Sequence, residues 1–186
     1  MTAMAAREPA RVVELTPAQL RLSLDQALRI YVTAMRYPPG TAGHRGPMWR
    51  EHMLRAGWRC VGAFEGATLV GIAYGYLGAS GQWWHDEVSR GLTLINPAAA
   101  QHYLTDYFEL TELHVHPDAQ GRGLGEALLT DLLSKVDAAR VLLSTPEGPT
   151  RAWRLYRRTG FTDVLRNYRF TGDSRPFAVL GRTLPL

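Results

Sequence analysis

The segment ELHVHPDAQGRGLGEALL, Glu112 to Leu129, narrows what this chain can fold into more than any other stretch. Its start reads as a strand, and Pro117 ends that strand because proline has no N–H to offer a neighbour. Gly121, Gly123 and Gly125 follow, and then Leu128, Leu129, Leu132, Leu133 and Val136 recur at helical spacing. Glycines at a helix entrance let successive backbone N–H groups converge, and the helix dipole adds partial positive charge at the same point. Such a turn suits a phosphate or a pyrophosphate. A Walker A loop would need a lysine after its last glycine, and Glu126 stands there. A Rossmann turn would need a small residue three positions past Gly123, and that place also holds Glu126. The spacing that fits is Gln/Arg-x-x-Gly-x-Gly/Ala, filled by Gln120, Gly123 and Gly125.

The rest of the chain supplies a sheet around this turn. Ala10–Leu15 reads as a strand, with Thr16 and Pro17 opening a helix that runs to about Arg36 on a stripe of Leu20, Leu24, Ala27, Leu28 and Tyr31. Tyr37–Gly40 breaks it, and a short helix is predicted over Pro47–Ala56. Trp58–Glu65 and Ala67–Gly78 read as a hairpin turning at Gly66. Ala79–Thr105 is irregular apart from a helix in WWHDEVSRGL. Asp106–Val115 is a strand, Leu124 to about Val136 a helix, Arg140–Ser144 a strand and Thr150–Arg158 a helix ended by Gly160. Phe161–Phe170 and Pro176–Thr183 read as two final strands. Strands alternating with helices and flanked by hairpins predict one mixed α/β sheet.

A length of 186 residues fits one well-filled core and falls short of two ordinary domains. No apolar run is long enough to span a bilayer, and MTAMAAREPA has no secretory pattern, so the cytoplasm is the expected location. Cys60 is the only cysteine, which excludes an internal disulfide and a cysteine zinc cluster. It lies in the apolar run WRCVGAF and is expected to be a buried, inert thiol. The net charge of +4 favours anionic partners, yet the charges are interspersed and select none.

Beyond the loop, LHVHP before it, ALL after it and AWRLYRRTGF (Ala152–Phe161) complete a pattern. On these residues the chain resembles the GNAT superfamily of N-acetyltransferases. The resemblance implies an α/β fold with a mixed, mostly antiparallel central sheet of about six to seven strands flanked by helices. It implies a single acetyltransferase domain over 1–186, with 107–161 as the cofactor-binding core and 1–9 disordered. Acetyl-CoA is the implied cofactor, its pyrophosphate held by Gln120, Gly121, Arg122, Gly123, Leu124 and Gly125. Backbone groups of Leu113, His114 and Val115 would run beside its pantetheine arm. The family often carries asparagine seven residues before the tyrosine of its second motif, and here that position is Pro149.

Acetyl transfer to an amine requires loss of the amine's proton, since an alkylammonium of pKa about 10 is mostly charged at neutral pH. It also requires donors for the developing oxyanion and a proton for the departing thiolate. The resemblance implies a base at Glu109, eleven residues before Gln120. Glu112, on the opposite face of the strand, is the second candidate, and a water chain is a third. Tyr156 matches the tyrosine that protonates the leaving sulfur in many members, with core packing as its other role. Tyr37, Trp83 and Trp84 are candidate acceptor contacts, the tryptophans as an exposed aromatic pair. Glu112, His114 and His116 alternate suitably for a metal but lack a further ligand, and no metal is expected. The expected partner is a primary amine of a small molecule or a protein N-terminus, with neither nucleic acid nor membrane, and with a homodimer through the C-terminal strands as an option. Transfer of a longer acyl group and a non-catalytic acyl-CoA sensor are the alternatives.

Overall fold

The computed structural model describes residues 9–186; the expectation of disorder over 1–9 therefore falls almost wholly outside the described residues. Seven strands form one sheet: β1 (Arg11–Glu14), β2 (Arg59–Glu65), β3 (Thr68–Leu77), β4 (Tyr107–Val115), β5 (Arg140–Pro146), β6 (Thr162–Tyr168) and β7 (Phe177–Thr183). Their order is β1-β2-β3-β4-β5-β7-β6. The sheet is mostly antiparallel, and helices flank it. Its parallel step is β4 beside β5, a pairing that needs a crossover, which the helix after the glycine turn supplies. That pairing covers three residues, Tyr107–Glu109 against Arg140–Leu142. Beyond Leu142, β5 remains paired with β7 as far as Pro146.

Contacts gather the chain into two compact units. The first holds the described chain through Leu54, then Arg59–Tyr74 and Glu112–Leu132; the second holds Arg55–Trp58, Gly75–Thr111 and Leu133–Leu186.

In the first unit, Thr16 and Gln19 cap each other's backbone to start α1 (Pro17–Leu22). The single long helix expected here is instead broken at Ser23, and α2 (Leu24–Met35) follows. The expected stripe holds, since Leu20, Leu24, Ala27, Leu28 and Tyr31 are all buried. The next helix, α3 (Thr41–His52), starts six residues earlier than the sequence suggests and carries Pro47 inside it. Its TAGHRG start has poor helix propensity, so packing decides: Trp49 is fully buried, and Gly46 lies against Leu28. The helix after the glycine turn, α6 (Leu124–Leu133), is three residues shorter than expected. Its leucines 128, 129, 132 and 133 are buried, each contributing about 2 kcal/mol, which outweighs the cost of about 1 kcal/mol for Gly125 in its first turn. A Cβ on Gly71 would fall 2.9 Å from Leu128 Cδ1, so glycine permits this close helix–strand approach.

In the second unit, Trp84, Val88 and Leu92 of α4 (Trp83–Ile95) pack with Tyr107, Leu142, Leu165, Phe170 and Val179. The region read as irregular also holds α5 (Pro97–Tyr103), with Asn96 Oδ1 accepting from Ala98 N at 3.0 Å. Asn96 at the cap and Pro97 at the first helical position start this helix. The helix α7 (Arg151–Arg158) is capped by Thr150 and stops at Gly160, φ +86°, as expected.

Candidate active site

The glycine turn is built as its residues require. Gly121 and Gly123 both have φ +77°, a left-handed conformation that glycine adopts without the cost of a side chain. No atom lies within 4 Å of a Cβ placed on Gly123, so the turn presents open space there. The first N–H groups of α6, from Leu124 on, have no partner within their own helix and face that end. Gln120 Nε2 donates to Val115 O at 2.9 Å, which ties the end of β4 to the turn. Arg122 donates to Glu65 Oε1 at 2.6 Å and to Asp118 O at 2.9 Å. Its guanidinium thus braces the turn against β2, a partner 57 residues away that no local motif reveals. Exposed glycines, a helix start and an arginine at the rim fit a pyrophosphate.

On β4 the two glutamates occupy different chemistry. Glu112, in the first unit, lies with its Oε2 2.5 Å from His114 Nε2, and both side chains are largely buried. The His114 ring meets the edge of Tyr31 at 5.1 Å, and Tyr37 packs on Tyr31 at 5.4 Å. Burial, followed by the charge of Glu112, pushes the Tyr31 hydroxyl well above its ordinary range. His116 does not join this pair; its Nδ1 accepts from Asp118 N at 3.3 Å and caps the short turn after β4. Among the described residues, no group of three or more His, Cys, Asp or Glu is arranged to hold a metal.

Glu109, in the second unit, is 3% exposed and is the last residue of β4 paired with β5. Thr111 Oγ1 lies 3.5 Å from its Oε1. The Tyr76 hydroxyl is pushed upward by burial and next by the charge of Glu109, and it takes part in hydrogen bonds with Thr111 and Glu109. Arg55 Nη1 in turn donates to Tyr76 Oη at 2.7 Å. Sequence reasoning named neither Tyr76 nor Arg55, because only strand register and a turn bring them to Glu109. Tyr156 belongs to the same unit, 6% exposed, with its ring 5.5 Å from Phe161. Pro149, in the asparagine position, offers its carbonyl to Arg154 Nη1 at 3.0 Å.

The candidate acceptor residues divide. Trp83 and Trp84 open α4, where a helix was expected in WWHDEVSRGL. Trp83 is 56% exposed, but Trp84 is 8% exposed and its indole N–H donates to Ser144 Oγ, so the expected exposed pair is a single exposed tryptophan. Tyr37 is half-buried against Tyr31. Cys60 is fully buried, and burial alone pushes its thiol far up, which makes it inert as expected. No helix among the described residues is long and apolar enough to cross a membrane.

The acetyltransferase (GNAT) domain family matches residues 64–163. A GCN5-like protein acetyltransferase of Mycobacterium tuberculosis, Rv2170, is 49% identical over 202 aligned residues, covering 94% of this chain and 98% of the relative. Among solved structures, the ribosomal-protein-S18-alanine N-acetyltransferase of Escherichia coli superposes with TM-score 0.64 at 17% identity, over 96% of each chain. The PaiA N-acetyltransferase of Thermoplasma acidophilum, solved with coenzyme A, gives 0.62 at 13% identity, over 95% of this chain and 100% of that one. At such identities these structures share the fold. With the family match and the close relative, the conclusion is direct: this chain belongs to the GNAT family of acetyltransferases and uses acetyl-CoA.

Proposed function

We propose that the chain is an N-acetyltransferase that transfers acetyl directly to a primary amine of a protein, a lysine side chain or an N-terminus. The observation that carries this reading is the buried Glu109 at the point where β4 leaves β5. A buried carboxylate there, held by hydroxyls, can take the amine's proton. The protein acceptor is supported by the relative that is 49% identical and named a protein acetyltransferase.

Acetyl-CoA supplies an acetyl group activated as a thioester. Backbone N–H groups of Gly121–Gly125 would hold its pyrophosphate, with Gln120 bracing the turn and Arg122 at the rim. Main-chain groups of Leu113, His114 and Val115 would align the arm. Glu109 would take one proton from the acceptor ammonium, and the Tyr156 hydroxyl would give one to the sulfur as the C–S bond breaks. A thiolate is a weaker base than a phenolate, so the second proton, shed by the nitrogen as the amide forms, would restore the phenol. Glu112, held by His114, orders the wall that includes Tyr31 and Tyr37.

The test is thiol release from acetyl-CoA against three acceptor sets, read together with mass: peptides with one lysine and a blocked N-terminus, peptides with a free N-terminus and no lysine, and small amines. Acetylated peptide in either of the first two sets is the expected result. Turnover confined to small amines would overturn the protein acceptor, and absence of thiol release in all three would overturn the reading.

A further inference from the structure

The turn Arg55–Trp58 is shaped to deliver one side chain. Trp58 N donates to Arg55 O at 3.2 Å, and Leu77 N donates to Ala56 O at 3.0 Å, which fastens the turn to the end of β3. Gly57 has φ +66°, and a Cβ there would lie 2.5 Å from Leu77 Cγ, so the turn can lie this close only as glycine. The result is Arg55 held over Tyr76: its Cζ is 4.7 Å from the ring centroid and its Nη1 2.7 Å from the hydroxyl. Gly78 N donates to Tyr107 O at 3.0 Å, and two residues along the antiparallel pair Tyr76 stands opposite Glu109, on the face shared with Thr111. A Cβ on Gly75 would fall 2.1 Å from Glu109 O, so β3 is cut back to glycine at the same spot.

We propose that Arg55 and Tyr76 are a positioning pair for Glu109, the guanidinium fixing the phenol and the phenol fixing the carboxylate in its ionised form. This rests on the reading of Glu109 as the base. A guanidinium that donates to the phenol oxygen and lies over the ring makes the hydroxyl a stronger donor toward the carboxylate. A buried carboxylate without a nearby cation tends instead to hold its proton and cannot accept another. Thr111 adds a further hydroxyl, and Tyr107, bonded to His85 Nδ1 at 2.9 Å with Asp86 nearby, completes the titratable groups on this face of the second unit. Burial lowers the His85 pKa, so near neutral pH the uncharged ring adds no competing cation.

The experiment follows the side-chain carboxyl signals of the full chain labelled with carboxyl-13C glutamate, with Glu109→Gln identifying the resonance. Arg55→Met and Tyr76→Phe each move the Glu109 titration midpoint up by about one pH unit, while Arg55→Lys stays nearer the wild type. Gly57→Ala moves it in the same direction by displacing the turn. An unmoved midpoint in Arg55→Met and Tyr76→Phe overturns the pair and leaves the base reading standing. If Arg55→Met does not fold, Tyr76→Phe decides, since it removes one oxygen. Turnover of Glu109→Gln is measured separately: wild-type activity there overturns the base reading, and with it any catalytic role for the pair.

Discussion

Glu109 and Glu112 stand three residues apart on β4, and each meets a different kind of neighbour. Glu112 is engaged by an imidazole at 2.5 Å, itself packed on Tyr31. Glu109 meets hydroxyls, Thr111 and Tyr76, with the cation of Arg55 bonded to the second of them. The Glu112 carboxylate has one oxygen occupied by the imidazole of His114. Glu109 is held by hydroxyls, with a cation beyond them, the environment in which we propose it works as the base. Two carboxylates on one strand thus differ in their partners, and our proposal of Glu109 as the base rests on that difference.

Exchange of each acid for its amide separates the two glutamates most strongly. Glu109→Gln should lower kcat by about 10²- to 10⁴-fold, and Glu112→Gln by less than about tenfold, measured by thiol release. The reverse order would move the base to Glu112. Tyr156→Phe sharpens the account of the second unit: kcat should fall by about 10²-fold while calorimetry finds acetyl-CoA affinity within about twofold. An unchanged kcat would return Tyr156 to its packing role against Phe161. In the first unit, Gly123→Val should weaken acetyl-CoA binding by about tenfold with little effect on the saturated rate. Nothing crowds that Cβ, so the cause is the left-handed backbone, which disfavours a branched side chain by about 1–2 kcal/mol.

Glu87 is a third buried carboxylate and a useful control. Burial pushes its carboxyl up, but Thr171 N–H and hydroxyl together with Arg90 outweigh that and hold it below the ordinary range. A depressed folded-state value means its contribution is present above the ordinary glutamate range and is lost as pH falls through the folded value. Glu87→Gln should therefore cost about 1–2 kcal/mol in urea unfolding at pH 7, and less at pH 4, without altering the pH dependence of turnover. A shifted pH–rate profile would show that Glu87 has more than a structural role.

Local grammar made much of this legible. The glycine turn, the stripe from Leu20 to Tyr31 and the Thr150 cap each depend on neighbours within a few residues, so spacing reveals them. What escaped depends on distant partners. The spacing of Gln120–Gly125 marks the glycine turn, but the grip of Arg122 on Glu65 does not follow from it. The early start of α3 escaped because Trp49 packing overrides a glycine-rich beginning. Trp84 looked like half of an exposed pair because the predicted helix did not say which of its faces meets the core, where Trp84 packs with Leu142 and Val179. Arg55 and Tyr76 reach Glu109 through a turn and a strand register that the one-dimensional pattern does not contain.

In the proposed mechanism Glu109 gains and then releases a proton in each cycle. The direct measurement is kcat/KM for thiol release against pH, in the wild type, Glu109→Gln and Glu112→Gln. The acid limb should vanish in Glu109→Gln and persist in Glu112→Gln. An acid limb that survives intact in Glu109→Gln would contradict the account.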